Sequence, residues 1–322
     1  MRTILVTGGA GFIGSHVIDH LLVNGHSVLN IDNFNDFYDK SIKESNILVH
    51  LKYTEKYRLI REDISNKQFL FNALKKYKID AIIHLAARAG VRPSIENPHQ
   101  YFVDNVIGTQ NILDYAKDNN IKNLVMASSS SVYGNNKKTP FSETDPVDNP
   151  ISPYAATKKT NELQSYTYHH LFGLKIIMLR FFTVYGPRQR PDLAIYKFMK
   201  LIKQGKPIPF YGDGTTARDY TYIDDIVQGI LSSLNYLETH SSVYEVINLG
   251  NNKPVTLIDM VNTIENSLNQ KAILNKLPMQ QGDVEITFAD ITKAERILGF
   301  KVITPFKNGI EKFHSFFAKK NV

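Results

Sequence analysis

Residues 3–32 constrain the fold more than any other stretch of the chain. The short run Thr3-Ile4-Leu5-Val6-Thr7 leads directly into Gly8-Gly9-Ala10-Gly11-Phe12-Ile13-Gly14, and a helical pattern covers residues 12–24. In a strand–turn–helix unit of this kind, glycines let the backbone turn tightly and approach a pyrophosphate. The first helical amides and the helix dipole then meet the negative charge. The next apolar run, residues 27–31, ends at Asp32, 18 residues past Gly14. A carboxylate at that point accepts both hydroxyls of a ribose and repels a 2′-phosphate, so the pattern predicts NAD rather than NADP. A glycine turn that merely packs helix on strand is the competing reading, and the place of Asp32 weighs against it. The residues expected around the cofactor are Gly8, Gly11, Phe12, Ile13, Gly14, Asp32 and Asn33. Asp63 and Ile64, just past a third strand, fall near adenine, and Leu85, Ala86 and Ala87, ending a fourth, fall beside the nicotinamide half.

The same rhythm continues to residue 182. Apolar runs at 57–61, 81–86, 123–129 and 175–181 read as buried parallel strands, and residues 67–77, 100–118 and 153–172 read as helices between them. The fold class is α/β, a doubly wound parallel Rossmann sheet. From residue 183 the pieces shorten and glycine and proline become frequent, with helical patterns at 195–204, 223–236, 257–268 and 306–318. The expected division is a nucleotide-binding domain over 1–182 and a smaller mixed α/β substrate lobe over 183–322, with some chain crossing between them. The polar stretch 33–55 reads as a surface loop and helix.

Composition narrows the function classes. The 322 residues, 43% of them hydrophobic, suffice for a large core, and no apolar run approaches the roughly 18 residues of a membrane span. With no cysteine, disulfides and zinc–thiolate sites are ruled out, and a reducing cytoplasm is the expected compartment. The net charge of +7 favours anionic partners. The basic residues are scattered as pairs such as Lys75-Lys76 and Lys158-Lys159, which fits a solvated surface better than nucleic-acid binding. No metal site is expected, since His169-His170 lack partners at ligand spacing.

A tyrosine four residues before a lysine on a helix puts both side chains on one face, where the ammonium can draw the phenol toward its anionic form. The spacing occurs at Tyr133/Lys137, Tyr154/Lys158 and Tyr196/Lys200. Only Tyr154/Lys158 opens a long helix and follows a strand ending in hydroxyls, Ser128-Ser129-Ser130-Ser131. Tyr133/Lys137 encloses Gly134-Asn135-Asn136 and reads as a loop, and Tyr196/Lys200 lies past the sheet. A surface pair on an amphipathic helix is the alternative for Tyr154/Lys158. A phenol brought from about 10 toward 7 requires about 4 kcal/mol, within reach of a lysine plus an oxidised nicotinamide.

With these residues in view, the sequence resembles the extended short-chain dehydrogenase/reductase family, and within it the sugar-nucleotide 4-epimerases. The anchors are Thr7 to His16, His84-Leu85-Ala86-Ala87, Ser128 to Gly134, Tyr154 to Lys158, Leu179-Arg180-Phe181-Phe182-Thr183 and Ala217-Arg218-Asp219-Tyr220-Thr221-Tyr222-Ile223-Asp224-Asp225. The resemblance implies Ser129 and Tyr154 as catalytic residues with Lys158 as helper, the latter two also touching the cofactor. Dehydratases of the family carry an acid pair after the serine, and pentose-forming decarboxylases a glutamate. Here Ser130 and Ser131 stand there, which implies that a 4-keto sugar is reduced again.

Three segments resemble the UDP-glucuronate 4-epimerases: Ala86 to Arg92, Phe181 to Pro187, and Met279-Gln280-Gln281-Gly282-Asp283-Val284. UDP-glucose 4-epimerases usually show asparagine in place of Thr183 and arginine in place of Gln280. Arg190, seven residues after Thr183, lies where a guanidinium can pair with a uronate carboxylate, with Arg92 or Arg88 adding charge, unless it is a solvated loop arginine. Arg218 resembles the diphosphate ligand, its alternative being a surface salt bridge with Asp219 or Asp213. Tyr211 stacks on uracil or belongs to the core, and Asp283 is implied on the uridine ribose. Ser129 and Ser130 complete the expected UDP-sugar contacts. The helices at 100–118 and 153–172 are apolar on more than one face, which in this family serves a homodimer. The rival readings are a UDP-glucose or UDP-N-acetylglucosamine 4-epimerase, a decarboxylase or dehydratase on the same scaffold, and a noncatalytic NAD-binding scaffold.

Overall fold

The computed structural model describes residues 1–278 and 285–320. Its first six strands are β1 (Thr3–Thr7), β2 (Ser27–Ile31), β3 (Tyr57–Ile60), β4 (Ala81–His84), β5 (Asn123–Ser129) and β6 (Lys175–Phe181). Three more, β7 (Thr183–Tyr185), β8 (Ile208–Tyr211) and β9 (Ala217–Tyr222), lie outside that sheet, and β10 (Tyr244–Leu249) returns to it beside β6. The sheet is parallel throughout, in the order β10-β6-β5-β4-β1-β2-β3. Strand order reverses between β1 and β4, which opens a crevice at the carboxyl ends of the strands where open α/β sheets take ligands.

Alternation along each strand feeds two cores. Ile4 and Val6 of β1 pack with Val17, Ile18 and Leu21 of α1 (Phe12–Val23), while Leu5 packs on the opposite face with Leu70, Leu74, Ile112 and Tyr168. Both faces of the strands are therefore apolar, as parallel strands covered by helices on each side require. The covering helices include α2 (Lys40–Ile47), which runs beside α1, and α3 (Lys67–Leu74). Further along are α4 (Val91–Glu96), α5 (Pro98–Tyr101), α6 (Gly108–Asp118) and α7 (Pro153–Phe172).

The helix expected over 100–118 is interrupted. Residues Phe102–Ile107 form a π-helical turn between α5 and α6. Asn105 within it exchanges two hydrogen bonds with the Arg88 backbone, accepting from N at 2.7 Å and donating to O at 3.0 Å, and Asp104 accepts from Arg88 Nε at 2.7 Å. The extra residue in the turn thus aims two polar side chains at the loop after β4, a use typical of π-bulges near functional sites.

Beyond β10 come β11 (Pro254–Thr256), β12 (Leu274–Leu277) and β13 (Ile286–Thr287). β7, β9, β11 and β13 form one small sheet and β8 and β12 another. The second part of the chain thus has sheets of its own, with β10 crossing back into the first.

Candidate active site

Strand β1 ends in a turn that excludes side chains. Gly8 has φ +71°, and a Cβ there would lie 2.8 Å from the Ala86 backbone; a Cβ on Gly14 would lie 2.3 Å from the Gly8 carbonyl oxygen. The turn, β4 and the first turn of α1 therefore meet at van der Waals distance only because these positions are glycine. α1 begins without a side-chain cap at Gly11, and Gly11, Phe12, Ile13 and Gly14 all border a cleft of about 390 Å³. An uncapped helix start bordering a cleft, with a glycine cradle that tolerates no Cβ, fits a dinucleotide pyrophosphate.

Asp32, at the end of β2, is 7% exposed. Its Oδ2 accepts from Ala10 N at 3.0 Å and its Oδ1 from Phe34 N at 2.9 Å, so one carboxylate ties the glycine turn to the chain after β2. Burial pushes its pKa up, against the pull of Lys43 and the two amides. Each oxygen keeps a lone pair for a ribose hydroxyl. Asn33, Asp63, Ile64, Leu85, Ala86 and Ala87 line the same cleft, with Asn33 Nδ2 donating to Asp63 Oδ2 at 2.8 Å.

Ser129, Ser130, Tyr154, Lys158, Thr183 and Arg190 line the same cleft. Strand alternation separates the two serines of β5. Ser128 Oγ donates to buried Glu162 Oε1 at 2.7 Å, whereas Ser129 Oγ lies 3.1 Å from Ser131 Oγ. Helix α7 is capped by Ser152, whose side chain accepts from Ala155 N, and Pro153 occupies its first turn. That start fixes Tyr154 and Lys158 one turn apart on the face toward the sheet.

The proton chemistry involves a cation that the tyrosine–lysine spacing does not point to. Burial pushes the Tyr154 phenol above its usual range; the groups that pull it back are the Ser129 hydroxyl and the Arg190 charge. Lys158 is 3% exposed, donates to the Ala127 carbonyl at 2.9 Å, and is pushed down to about 8 by burial, with Glu162 opposing. The lysine thus anchors on β5 one helical turn from Tyr154, and Arg190 adds a charge that pulls the phenol down.

Arg190 is not the solvated arginine of the alternative reading. It is 16% exposed, grips Asp192 through Nε at 3.0 Å and Nη2 at 2.7 Å, and stands over the Phe37 ring. Arg92, Tyr211 and Arg218 do not line this cleft. Arg92 stands 6.0 Å from the Tyr211 ring centre, joining α4 to β8. Arg218 donates to the carbonyls of Ala217 and Glu285 and makes neither salt bridge of the alternative reading; Asp219 is held by the amides of Asn251, Asn252 and Ala289, and Asp213 by Thr215. Asp283, with the segment 279–284, lies outside the described residues.

The other two tyrosine–lysine pairs are elsewhere. Tyr133 is buried, donating to Asn248 Oδ1 at 2.7 Å, and sits in a 3-10 turn rather than an open loop. Tyr196 packs against Phe313 and Phe317. Among the described residues no cluster of three or more His, Asp or Glu side chains is placed to hold a metal. Asn35, Phe37, Tyr38 and Lys43 also line the cleft, although the stretch 33–55 reads as surface. Three aromatics within five residues, Phe34, Phe37 and Tyr38, were the signal that it is not simply solvated.

A family model described as GDP-mannose 4,6 dehydratase matches residues 5–313. The chain belongs to that family, within the extended short-chain dehydrogenase/reductases. It is 46% identical to a UDP-glucuronate 4-epimerase of Thermodesulfobacterium geofontis, covering 100% of this chain and 98% of that one. Among solved structures, the UDP-glucuronic acid 4-epimerase of Bacillus cereus in complex with UDP-glucuronic acid and NAD aligns with a TM-score of 0.89 at 36% identity, covering 99% of each chain. The UDP-glucose 4-epimerase of Thermotoga maritima with UDP-glucose gives the same TM-score at 29% identity, over 99% of this chain and 100% of that one.

Proposed function

We propose that the chain is an NAD-dependent UDP-sugar 4-epimerase that interconverts UDP-glucuronate and UDP-galacturonate. The observation that carries this reading is the convergence, in one cleft, of the glycine turn and Asp32 with Ser129, Tyr154, Lys158, Thr183 and Arg190. Bound NAD supplies a hydride acceptor that also serves as donor. Ser129 holds the sugar hydroxyl at the reacting carbon while Tyr154 removes its proton and later returns it. Lys158 stays fixed by the Ala127 carbonyl beside the cofactor channel. Arg190 offers a planar fork to the uronate carboxylate, with Thr183 alongside. Ser130 and Ser131 supply no carboxyl group to drive elimination, which favours return of the hydride over dehydration.

Arg92, Tyr211, Arg218 and Asp283 are assigned to the nucleotide half of the substrate, and residues 183–322 to the lobe that binds it. Exposed Ile95, Phe102, Ile107, Leu163 and Tyr166, on adjoining α4, π-turn and α7 surfaces, support a homodimer. Among the described residues no helix is long and apolar enough to cross a membrane, and we place the enzyme in the cytoplasm, making nucleotide sugars for polysaccharide synthesis.

Incubation of the purified protein with UDP-glucuronate, UDP-glucose and UDP-N-acetylglucosamine, without added cofactor, tests the assignment by NMR of the anomeric protons. UDP-galacturonate is the expected product; turnover of UDP-glucose alone would overturn the uronate assignment. Tyr154→Phe should abolish turnover while NAD remains bound, and a variant as active as the parent would remove Tyr154 from the mechanism.

A further inference from the structure

The segment between β2 and α2 is built from side chains that each accept the amide two residues on. Asp32 Oδ1 takes Phe34 N at 2.9 Å, Asn33 Oδ1 takes Asn35 N at 3.0 Å, Asn35 Oδ1 takes Phe37 N at 3.3 Å, and Asp39 Oδ1 takes Ser41 N at 2.9 Å. Such Asx turns let a run of asparagine and aspartate hold a defined path without regular secondary structure. Lys43, 4% exposed, donates to both the carbonyl and the side-chain oxygen of Asn35, at 3.0 and 2.9 Å. Phe34 takes a left-handed φ of 49° and is buried against Ala10 and Ile47. A phenylalanine in that region is disfavoured unless its surroundings hold it there.

These contacts deliver Phe37 into the cleft, where two guanidiniums lie over its ring, Arg190 at 5.1 Å and Arg88 at 5.7 Å from the centre. Each cation is oriented by its own carboxylate, Arg190 by Asp192 and Arg88 by Asp104. Arg88 follows β4, and Arg190 follows β7 in the other lobe. One ring from the segment after Asp32 is thereby joined to the loops after β4 and β7.

We infer that residues 33–39 form a strap over the bound dinucleotide, fastened where Phe37 meets Arg88 and Arg190, and that this fastening sets how long NAD stays bound. The inference rests on the reading of the cleft as an NAD site. A cofactor restored to its starting state in every turnover does not need to leave, and release requires the strap to lift from the arginines. Phe37 is a positioning residue: it holds the strap closed and takes no part in proton transfer.

The test uses the purified holoenzyme without sugar nucleotide and follows released NAD by its capture with an excess of an auxiliary alcohol dehydrogenase and ethanol. Phe37→Leu keeps apolar bulk and loses the ring face, and release about tenfold faster is expected from two cation–π contacts, equivalent to roughly 1.4 kcal/mol. Phe37→Tyr should release within about twofold of the parent, since it keeps a comparable ring. Arg88→Lys, which preserves charge opposite Asp104, should release about threefold faster because the planar face is lost. Equal rates for parent and Phe37→Leu would overturn the inference, and so would equal acceleration in the Leu and Tyr variants. With no sugar nucleotide present, this ratio is independent of whether UDP-glucuronate is the substrate, so the two readings fail separately.

Discussion

Glu162→Gln tests how the core beneath the site supports both stability and catalysis. Glu162 and Arg180 are each 3% exposed, and the guanidinium grips the carboxylate through Nε and Nη2, both at 2.8 Å. Ser128 Oγ donates to the same carboxylate at 2.7 Å, and Arg180 Nη1 continues the network to the Tyr133 hydroxyl at 3.0 Å. Removing one partner of a buried pair leaves the other charge uncompensated, which costs about 3–5 kcal/mol. Glutamine keeps an acceptor oxygen for one of the two bonds, so the lower end, about 3 kcal/mol, applies. For a chain of this length that is about 2 °C per kcal/mol, or about 6 °C in melting temperature.

The same substitution acts on Lys158, one helical turn away. Burial pushes that lysine down to about 8, and the Glu162 charge is what opposes the shift. Lysine is cationic below its pKa. Removing Glu162 lowers the pKa further, so the cation disappears at a lower pH and the alkaline limb of kcat should move in the acid direction. The assay pairs a thermal melt with a pH–rate profile on UDP-glucuronate. An unchanged melting temperature would refute the buried-pair argument. A melting loss with an unmoved alkaline limb would refute the link to Lys158.

Gly14→Ala places a methyl 2.3 Å from the Gly8 carbonyl oxygen and should distort the pyrophosphate cradle, so that purified protein carries at least about tenfold less NAD; parental NAD content would contradict it. Arg190→Ala removes a forked charge-assisted contact, and kcat/KM for UDP-glucuronate should fall by about 10- to 100-fold more than for neutral UDP-sugars. An equal fall for both would mean that Arg190 does not read the carboxylate. His16, whose Nε2 lies 2.9 Å from the Pro187 carbonyl, is pushed by burial from 6.5 down to about 4. The unfolded chain binds this proton first, so stability is full above pH 6.5 and falls toward pH 4. The loss is about 1.4 kcal/mol per pH unit. His16→Gln, whose amide can still donate to that carbonyl, should lose less stability than the parent across this window in denaturant titrations, and parallel curves would rule the histidine out.

What could be read from the sequence was whatever local chemistry decides. The turn Gly8 to Gly14 announces itself because only glycine tolerates those approaches, and six of the seven sheet strands are short apolar runs in chain order. Tyr154 was separable from Tyr133 and Tyr196 because a proline-started helix and a serine-ended strand flank it. β10 was not legible as a member of the sheet, since residues 182–243 intervene before it pairs with β6. The π-turn at Phe102–Ile107 was hidden for a related reason: its polar side chains bond Arg88, through the Arg88 backbone to Asn105 and the guanidinium to Asp104, a partner distant in the chain.

One electrostatic contribution was not legible in the sequence. A lysine four residues after a tyrosine points to Lys158, which is anchored on the Ala127 carbonyl, but nothing local points to Arg190, 36 residues after Tyr154, whose charge also bears on the hydroxyl. The same arginine meets Phe37 from the stretch that looked like plain surface. Its charge therefore reaches the catalytic phenol, the strap and the expected uronate position at once. If the uronate carboxylate pairs with Arg190, it offsets the charge that pulls the phenol down, and the phenol should become a weaker acid with the uronate bound than with a neutral sugar. The acidic limb of kcat should then lie at higher pH for UDP-glucuronate than for any neutral UDP-sugar the enzyme turns over, and coincident limbs would show that Arg190 serves the phenol and the substrate independently.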